Sequence, residues 1–159
     1  MTQSFAEDVT PRRGTKASVM NVGSHYTLDA AMPAGVIVAP AAEGHCVLPS
    51  TAALVAKALG VLAYDPVVET PTSTSYDFNS GECGEVVDDG AIWVVAESGL
   101  AVGDQPYCRF AAGAGGSQLG AVRADADTAS AALLPNARVL AVTTGLAKVR
   151  VNLPHGAAA

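Results

Sequence analysis

The run FAAGAGGSQLGAVRADAD, residues 110–127, gathers the residue types in this chain best suited to chemistry. Glycines at 113, 115, 116 and 120 could cradle a phosphate, and Asp125 and Asp127 could hold a hard cation. A dinucleotide loop needs G-x-G-x-x-G between a strand and a helix, and these four glycines do not keep that spacing. A Walker loop needs Gly-Lys-Ser/Thr, whereas Gly116-Ser117 comes without the lysine. Carboxylates two residues apart on a strand do share a face, so a metal site is geometrically open. Its further oxygens would have to come from Thr128, Ser130 and backbone carbonyls, a thin supply for a hard cation. The competing reading makes Asp125 and Asp127 turn-capping residues with Arg123 balancing one of them, and this reading is preferred.

Other chemistry is harder to assemble. His25, His45 and His155 are scattered, with no fixed acid partner evident near any of them. No Gly-x-Ser-x-Gly elbow occurs. Cys46, Cys83 and Cys108 are odd in number and far apart, which argues for buried or half-buried thiols rather than disulfides. His45 and Cys46 adjoin, but neighbours on a strand face opposite ways and ligate one metal poorly. Glu82 and Glu85 flank Cys83 in an expected loop, where they would disfavour a thiolate. Asp88-Asp89-Gly90 reads as a turn. These residues predict no enzyme, no cofactor and no metal site.

The elements that must position these residues are short strands. Charged residues make up only 15% of the 159, half are hydrophobic, and aromatics are 5%. So little charge suggests a surface that largely meets other protein. The net charge of −6 argues against nucleic acid and anionic membranes as partners. No apolar run reaches membrane-spanning length, and the acids in MTQSFAEDVTPRRG are unlike a signal peptide, so cytoplasmic synthesis is expected.

Residues 1–24 read as an extended arm without a packed element, and they carry Arg12, Arg13 and Lys16, three of the nine cations. That arm is either a contact for an acidic partner surface or a solvated tail. AGVIVAPA is a brief apolar strand; Ser50 is placed to cap a short helix whose Leu54, Val55, Ala58 and Leu59 share a face. Gly60 ends that helix and VLAYDP follows as a strand. Residues 67–84 form a polar connection with an edge-strand portion. An apolar strand surrounds Trp93, and a Gly-Asp turn precedes another at 106–111. Residues 136–153 make a hairpin about Thr144-Gly145, with Val149, Val151 and Leu153 inward and Lys148, Arg150 and Asn152 outward. The expected fold is mainly β: a small antiparallel barrel or sandwich over residues 25–153, an N-terminal arm over 1–24 and a C-terminal tail over 154–159.

The order of segments carries a resemblance. GVLAYDP (60–66), GAIWV (90–94), GLAVGDQPYCRF (99–110), GSQLGAVRADAD (116–127) and ALLPNARVLAVTTGLAKVRV (132–151) follow one another. Together they resemble the structural cement, or head-decoration, proteins of tailed bacteriophages, over roughly residues 45 to 153. This chain departs from the family pattern with Gln-Pro-Tyr-Cys at 105–108, Val122 in place of Phe, and Asn136 in place of Gly. The resemblance implies a non-enzymatic, cofactor-free protein on the outside of an expanded head, assembled in the host cytoplasm. It further implies a homotrimer sitting where major capsid protein subunits meet. On that reading Phe5, Arg12, Arg13 and Lys16 are candidate capsid contacts, and the Gly-rich run is a tight strand connection. Two other classes are a small-molecule or metal-binding barrel, which would show a polar pocket, and a tail or adhesin module, which would form fibrous trimers.

Overall fold

The structure, a computed structural model, describes residues 12–17, 21–64, 77–113 and 117–153. Its strands are β1 (Val22–Leu28), β2 (Met32–Pro33), β3 (Ile37–Pro40), β4 (His45–Val47), β5 (Gly60–Leu62), β6 (Asp77–Phe78), β7 (Cys83–Val95), β8 (Tyr107–Arg109), β9 (Val122–Arg123), β10 (Ala131–Leu133), β11 (Ala137–Thr143) and β12 (Leu146–Asn152). One short helix, α1 (Ala52–Ala56), precedes β5. The largest sheet runs β1-β4-β3-β5-β7-β12-β11, and β1 also pairs with β7. That extra pairing closes β1, β4, β3, β5 and β7 into a five-stranded barrel, which leaves β12 and β11 as a wing. Strands β10, β8 and β9 form a separate small sheet, and β2 pairs with β6. Pairing between named strands is antiparallel throughout except β1–β4, whose parallel register needs the long excursion through β2 and β3.

Side-chain alternation sends neighbouring residues into two different cores. Val38, Leu62 and Val86 point into the barrel with Leu28, Met32, Val36 and Phe78, filling its bore. Ile37, Val61 and Val87 point out of it, into a second core shared with Ile92, Val94, Cys108, Val122, Leu134, Val149 and Val151. Strands buried on both faces read as unbroken apolar runs, which is why GVIVAP and GVLA lack alternation. The wing is covered on one face only. Accordingly β12 alternates as expected, with Ala147, Val149 and Val151 buried and Arg150 and Asn152 exposed.

Strand β7 joins the two cores, and here the structure corrects the sequence reading. Asp88-Asp89-Gly90 is not a turn but the middle of this 13-residue strand. Val22 lies opposite Asp89 while Gly23 lies opposite Val87, so Asp88 is the extra residue of a β-bulge. A bulge bends a strand and increases its twist. Residues 83–89 thus pair with β1 inside the barrel, and residues 89–95 with β12 outside it. Gly90 has φ of 144°, and a Cβ there would stand 2.1 Å from the Asn21 Oδ1.

Two smaller features have local causes. Thr51, not Ser50, caps α1: its hydroxyl accepts the Leu54 N–H at 3.2 Å, and its backbone is extended. In the hairpin, β11 carries an irregularity. A register shift between Val139 and Ala141 makes Leu140 an extra residue, and Leu140 and Val142 are exposed. The helix ends at Ala56 with Lys57 as its C-cap, before Gly60, which begins β5 rather than ending the helix, and Asp77–Phe78 supply the edge portion of the polar connection. Residues 65–76 lie outside the described residues.

Candidate functional site

The proposed arm contacts divide by position. Phe5 lies outside the described residues. Residues 12–17 turn at Arg13–Gly14, where Thr15 N–H donates to the Arg12 carbonyl at 3.1 Å and Gly14 has φ of 74°, and they dock along β7 beyond the Val22 end of β1. Gly14 N–H donates to the Trp93 carbonyl at 2.6 Å, Trp93 N–H to Thr15 at 3.0 Å and Ala17 N–H to Ala91 at 2.7 Å. The segment therefore satisfies backbone groups that β7 would otherwise leave bare at an edge. Lys16 Nζ sits 2.6 Å from the Glu85 carboxylate, and Arg13 lies 3.6 Å from Asp77. Arg12 is exposed beside them. Strand β1 begins at Val22, inside the stretch expected to be arm.

The Asp125–Asp127 stretch meets two residues that sequence reasoning did not connect to it, Arg109 and Glu97. Arg109, the last residue of β8, is 1% exposed. Its Nε and Nη2 grip the Glu97 carboxylate side-on, and Nη2 also donates to Asp127 Oδ2 at 2.6 Å. Its Nη1 donates to the Ala111 carbonyl at 3.1 Å. Arg123 completes the cluster, with Nη1 at 2.7 Å from Glu97 and 2.8 Å from Asp127, and Nη2 at 2.7 Å from Asp125. Two guanidinium forks thus interlock with three carboxylates, the geometry that makes Arg the usual buried cation. Hydrogen bonding to Glu97 raises the Arg109 pKa further, so this side chain stays charged. The Asp127 carboxyl is held below its ordinary 3.8, chiefly by the Arg109 hydrogen bond and then by the Arg123 charge, against desolvation.

This cluster pins an unusual backbone. Asp127, Thr128 and Ala129 have φ of 42°, 51° and 67°, three successive left-handed residues with no glycine among them. Each costs about 1–2 kcal/mol in L-residues. The turn closes through Ser130 N–H to the Ala126 carbonyl at 3.0 Å, and Asp127 N–H donates to Asp125 Oδ1 at 3.0 Å. Asp125 therefore caps a turn and Arg123 balances it, as the preferred sequence reading held. The carboxylate oxygens a cation would need are turned to guanidinium groups instead, so the arrangement suits a rigid structural clasp.

Gly120 answers the glycine question. It has φ of 78°, and a Cβ on it would lie 2.7 Å from the Ile37 carbonyl oxygen. Its carbonyl accepts the Ile37 N–H at 2.9 Å while its own N–H donates to Arg109. The connection is pressed against barrel strand β3, which only glycine permits. Residues 114–116 lie outside the described residues.

The remaining candidates separate. Cys46 and Cys108 are buried, and burial drives the Cys46 thiol up to about 11, with Asp29 and Cys83 adding to the effect. Cys83, expected to be at least half-buried, is exposed, and it opens strand β7 rather than sitting in a loop. His45 does have an acid partner after all: its Nδ1 is 2.6 Å from Asp29 Oδ1, a pairing between residues far apart in sequence. His45 and Cys46 face opposite ways, one half-exposed and one buried. Among the described residues no group of three His, Cys, Asp or Glu side chains is arranged to hold a metal ion.

A filled barrel with an ionic clasp in the small sheet beside it fits a structural protein. The profile of the family described as structural cement protein (E217 gp24/Pam3 gp6) matches residues 9–152. The chain belongs to the phage structural cement protein family. As a cement protein it has a structural, non-enzymatic role and is associated with the phage capsid in the virion. The match begins at residue 9, so the docked segment 12–17 is part of the family domain even though its sequence carries no motif. A solved structure, the capsid of Myoviridae Phage XM1, contains a chain of similar fold: TM-score 0.70, 14% identity, 96% of this chain and 97% of that one covered. No curated protein matches the chain. Asn136 has φ of 50°, a left-handed conformation that Asn adopts more readily than most residues other than Gly.

Proposed function

We propose that this protein binds the outer surface of an expanded tailed-phage head as a homotrimer, across the seams where major capsid protein subunits meet. Membership of the cement family over residues 9–152 carries the proposal. The scarcity of charge, 15% of residues, fits a body whose surface is covered by neighbours. A trimer would engage three equivalent sites at once, and its second and third contacts gain from high effective concentration. Phe5, Arg12, Arg13 and Lys16 are proposed as arm contacts, with the Lys16–Glu85 and Arg13–Asp77 pairs anchoring the arm's root. The packed barrel bore speaks against a small-molecule carrier.

The test is native mass over a range of concentrations, followed by binding to expanded heads that lack the protein. A species near three times 15.9 kDa that binds these heads and raises their disruption temperature is expected. Heads that neither bind it nor gain stability would overturn the proposal.

A further inference from the structure

The outer face of the wing holds an arrangement that neither fold nor stability explains. Arg138 of β11 and Arg150 of β12 are directly opposite each other in the strand register. Like charges so placed repel and destabilise a sheet. Arg138 is exposed and has no hydrogen bond or ion pair with any described residue. Arg150 is 60% exposed, and its only carboxylate neighbour among the described residues is Asp89, at 3.8 Å. Lys148, next along the same face of β12, lies 5.4 Å from the Trp93 ring. The nearby Asp104 carboxylate is turned away, accepting the Ala101 N–H at 2.8 Å. On a chain of net charge −6, this face among the described residues therefore carries three cations against a single carboxylate.

The two arginines also line a concavity. A shallow open basin of about 370 Å³ is walled by Arg138, Arg150, Gln105, Asn136 and Asn152. Guanidinium forks lining a hollow are donors suited to carboxylate oxygens, with the Asn136 and Asn152 carboxamides beside them, while Gln105 Nε2 donates to the Leu134 carbonyl at 3.1 Å. Leu140, 42% exposed, lies two residues beyond Arg138 on β11. Arginine with an apolar neighbour is a composition enriched at protein–protein contacts.

We infer that this basin is a docking site for an acidic surface loop of a capsid subunit, with Arg138 and Arg150 sharing its carboxylates. The inference rests on the capsid-binding reading above and adds the face and the chemistry of the contact. Charge complementarity selects the occupant: acidic side chains relieve the Arg138–Arg150 repulsion, which a cationic or neutral partner would leave in place.

The experiment uses full-length protein and heads lacking it, at about 50 mM and about 300 mM salt. Arg138→Ala and Arg150→Ala are compared with wild type and with Lys57→Ala, an exposed cation on another part of the surface. Wild type and Lys57→Ala should bind alike, while each arginine variant binds about tenfold more weakly at low salt. The gap should narrow at high salt. Thermal melting of free Arg138→Ala should be unchanged or higher, because a repulsion has been removed, so lost binding is not lost folding. If all four proteins bind alike, the docking site is wrong and the capsid reading survives. Failure of wild type itself to bind overturns both. A change in the native mass of Arg138→Ala would instead assign the face to contact between copies of this chain and overturn the acidic-loop assignment.

Discussion

Arg109 is the residue on which the clasp depends. Replacing it with alanine leaves Glu97 and Asp127 facing Arg123 alone, inside a site that has lost its central cation. The expected cost is about 3 kcal/mol, the lower end for a broken buried pair because Glu97 keeps one guanidinium. Urea midpoints for Arg109→Ala and wild type measure it. Asp127 supplies the acid sensitivity. Its folded pKa is depressed, so its contribution is complete above the ordinary 3.8 and is lost as pH falls through the lower folded value. Asp127→Asn should therefore be less stable than wild type at pH about 6 and approach it at pH about 2, since protonation does to the wild type what the substitution does at every pH. A stability gap that stays constant across that range would contradict the assignment. The sequence showed that a turn lay here. It did not show the clasp, because Glu97 and Arg109 are 30 and 18 residues before Asp127 and are brought beside it only by packing. A lone arginine inside the apolar run PYCRF was the available sign.

At the scale of elements, β7 and the segment docked on it deserve the closest test. Deleting residues 1–11 should leave stability close to wild type, since the backbone bonds to Trp93 and Ala91 and the Lys16–Glu85 pair are kept. Deleting residues 1–17 removes all of them and bares the edge of β7, so the melting temperature should fall by several degrees. If head binding falls already with the shorter deletion, the arm's contacts lie before residue 12; if it falls only with the longer, they include Arg12, Arg13 and Lys16. Gly90→Ala addresses the bend. A Cβ would collide with Asn21 and adopt a backbone conformation L-residues rarely take, at an expected cost of about 1–3 kcal/mol by thermal unfolding. Strand β12 could be read from its alternation because one of its faces is solvated. Strand β7 could not be read past Asp88, because Asp-Asp-Gly has the same local signature in a bulge as in a turn.

For the whole molecule, one strand belonging to both cores predicts cooperative unfolding. Trp93 lies on the wing half of β7 with its ring against Lys148, so its fluorescence reports on the wing, whereas far-UV circular dichroism reports on all strands. The two urea transitions should coincide. Separate midpoints would show that barrel and wing unfold independently despite the shared strand. The same architecture suits a capsid protein, in which a rigid body presents contact faces without rearrangement.

Some of this was decided by sequence alone. Short apolar runs, turn residues at regular intervals and the alternation of residues 147–153 fix the β class, since side-chain period and turn chemistry are local properties. The ordered segments from residue 60 to 151 were enough to point to the cement family. Barrel closure was not available in the same way, because it depends on β1 meeting both β4 and β7. The division of β3, β5 and β7 between two cores was also hidden, since a strand buried on both faces has no polar side to reveal its orientation. The clasp, the His45–Asp29 pair and the opposed arginines needed the tertiary structure for one reason. Each joins residues distant along the chain, and their interaction energies arise only once register and packing have brought them together.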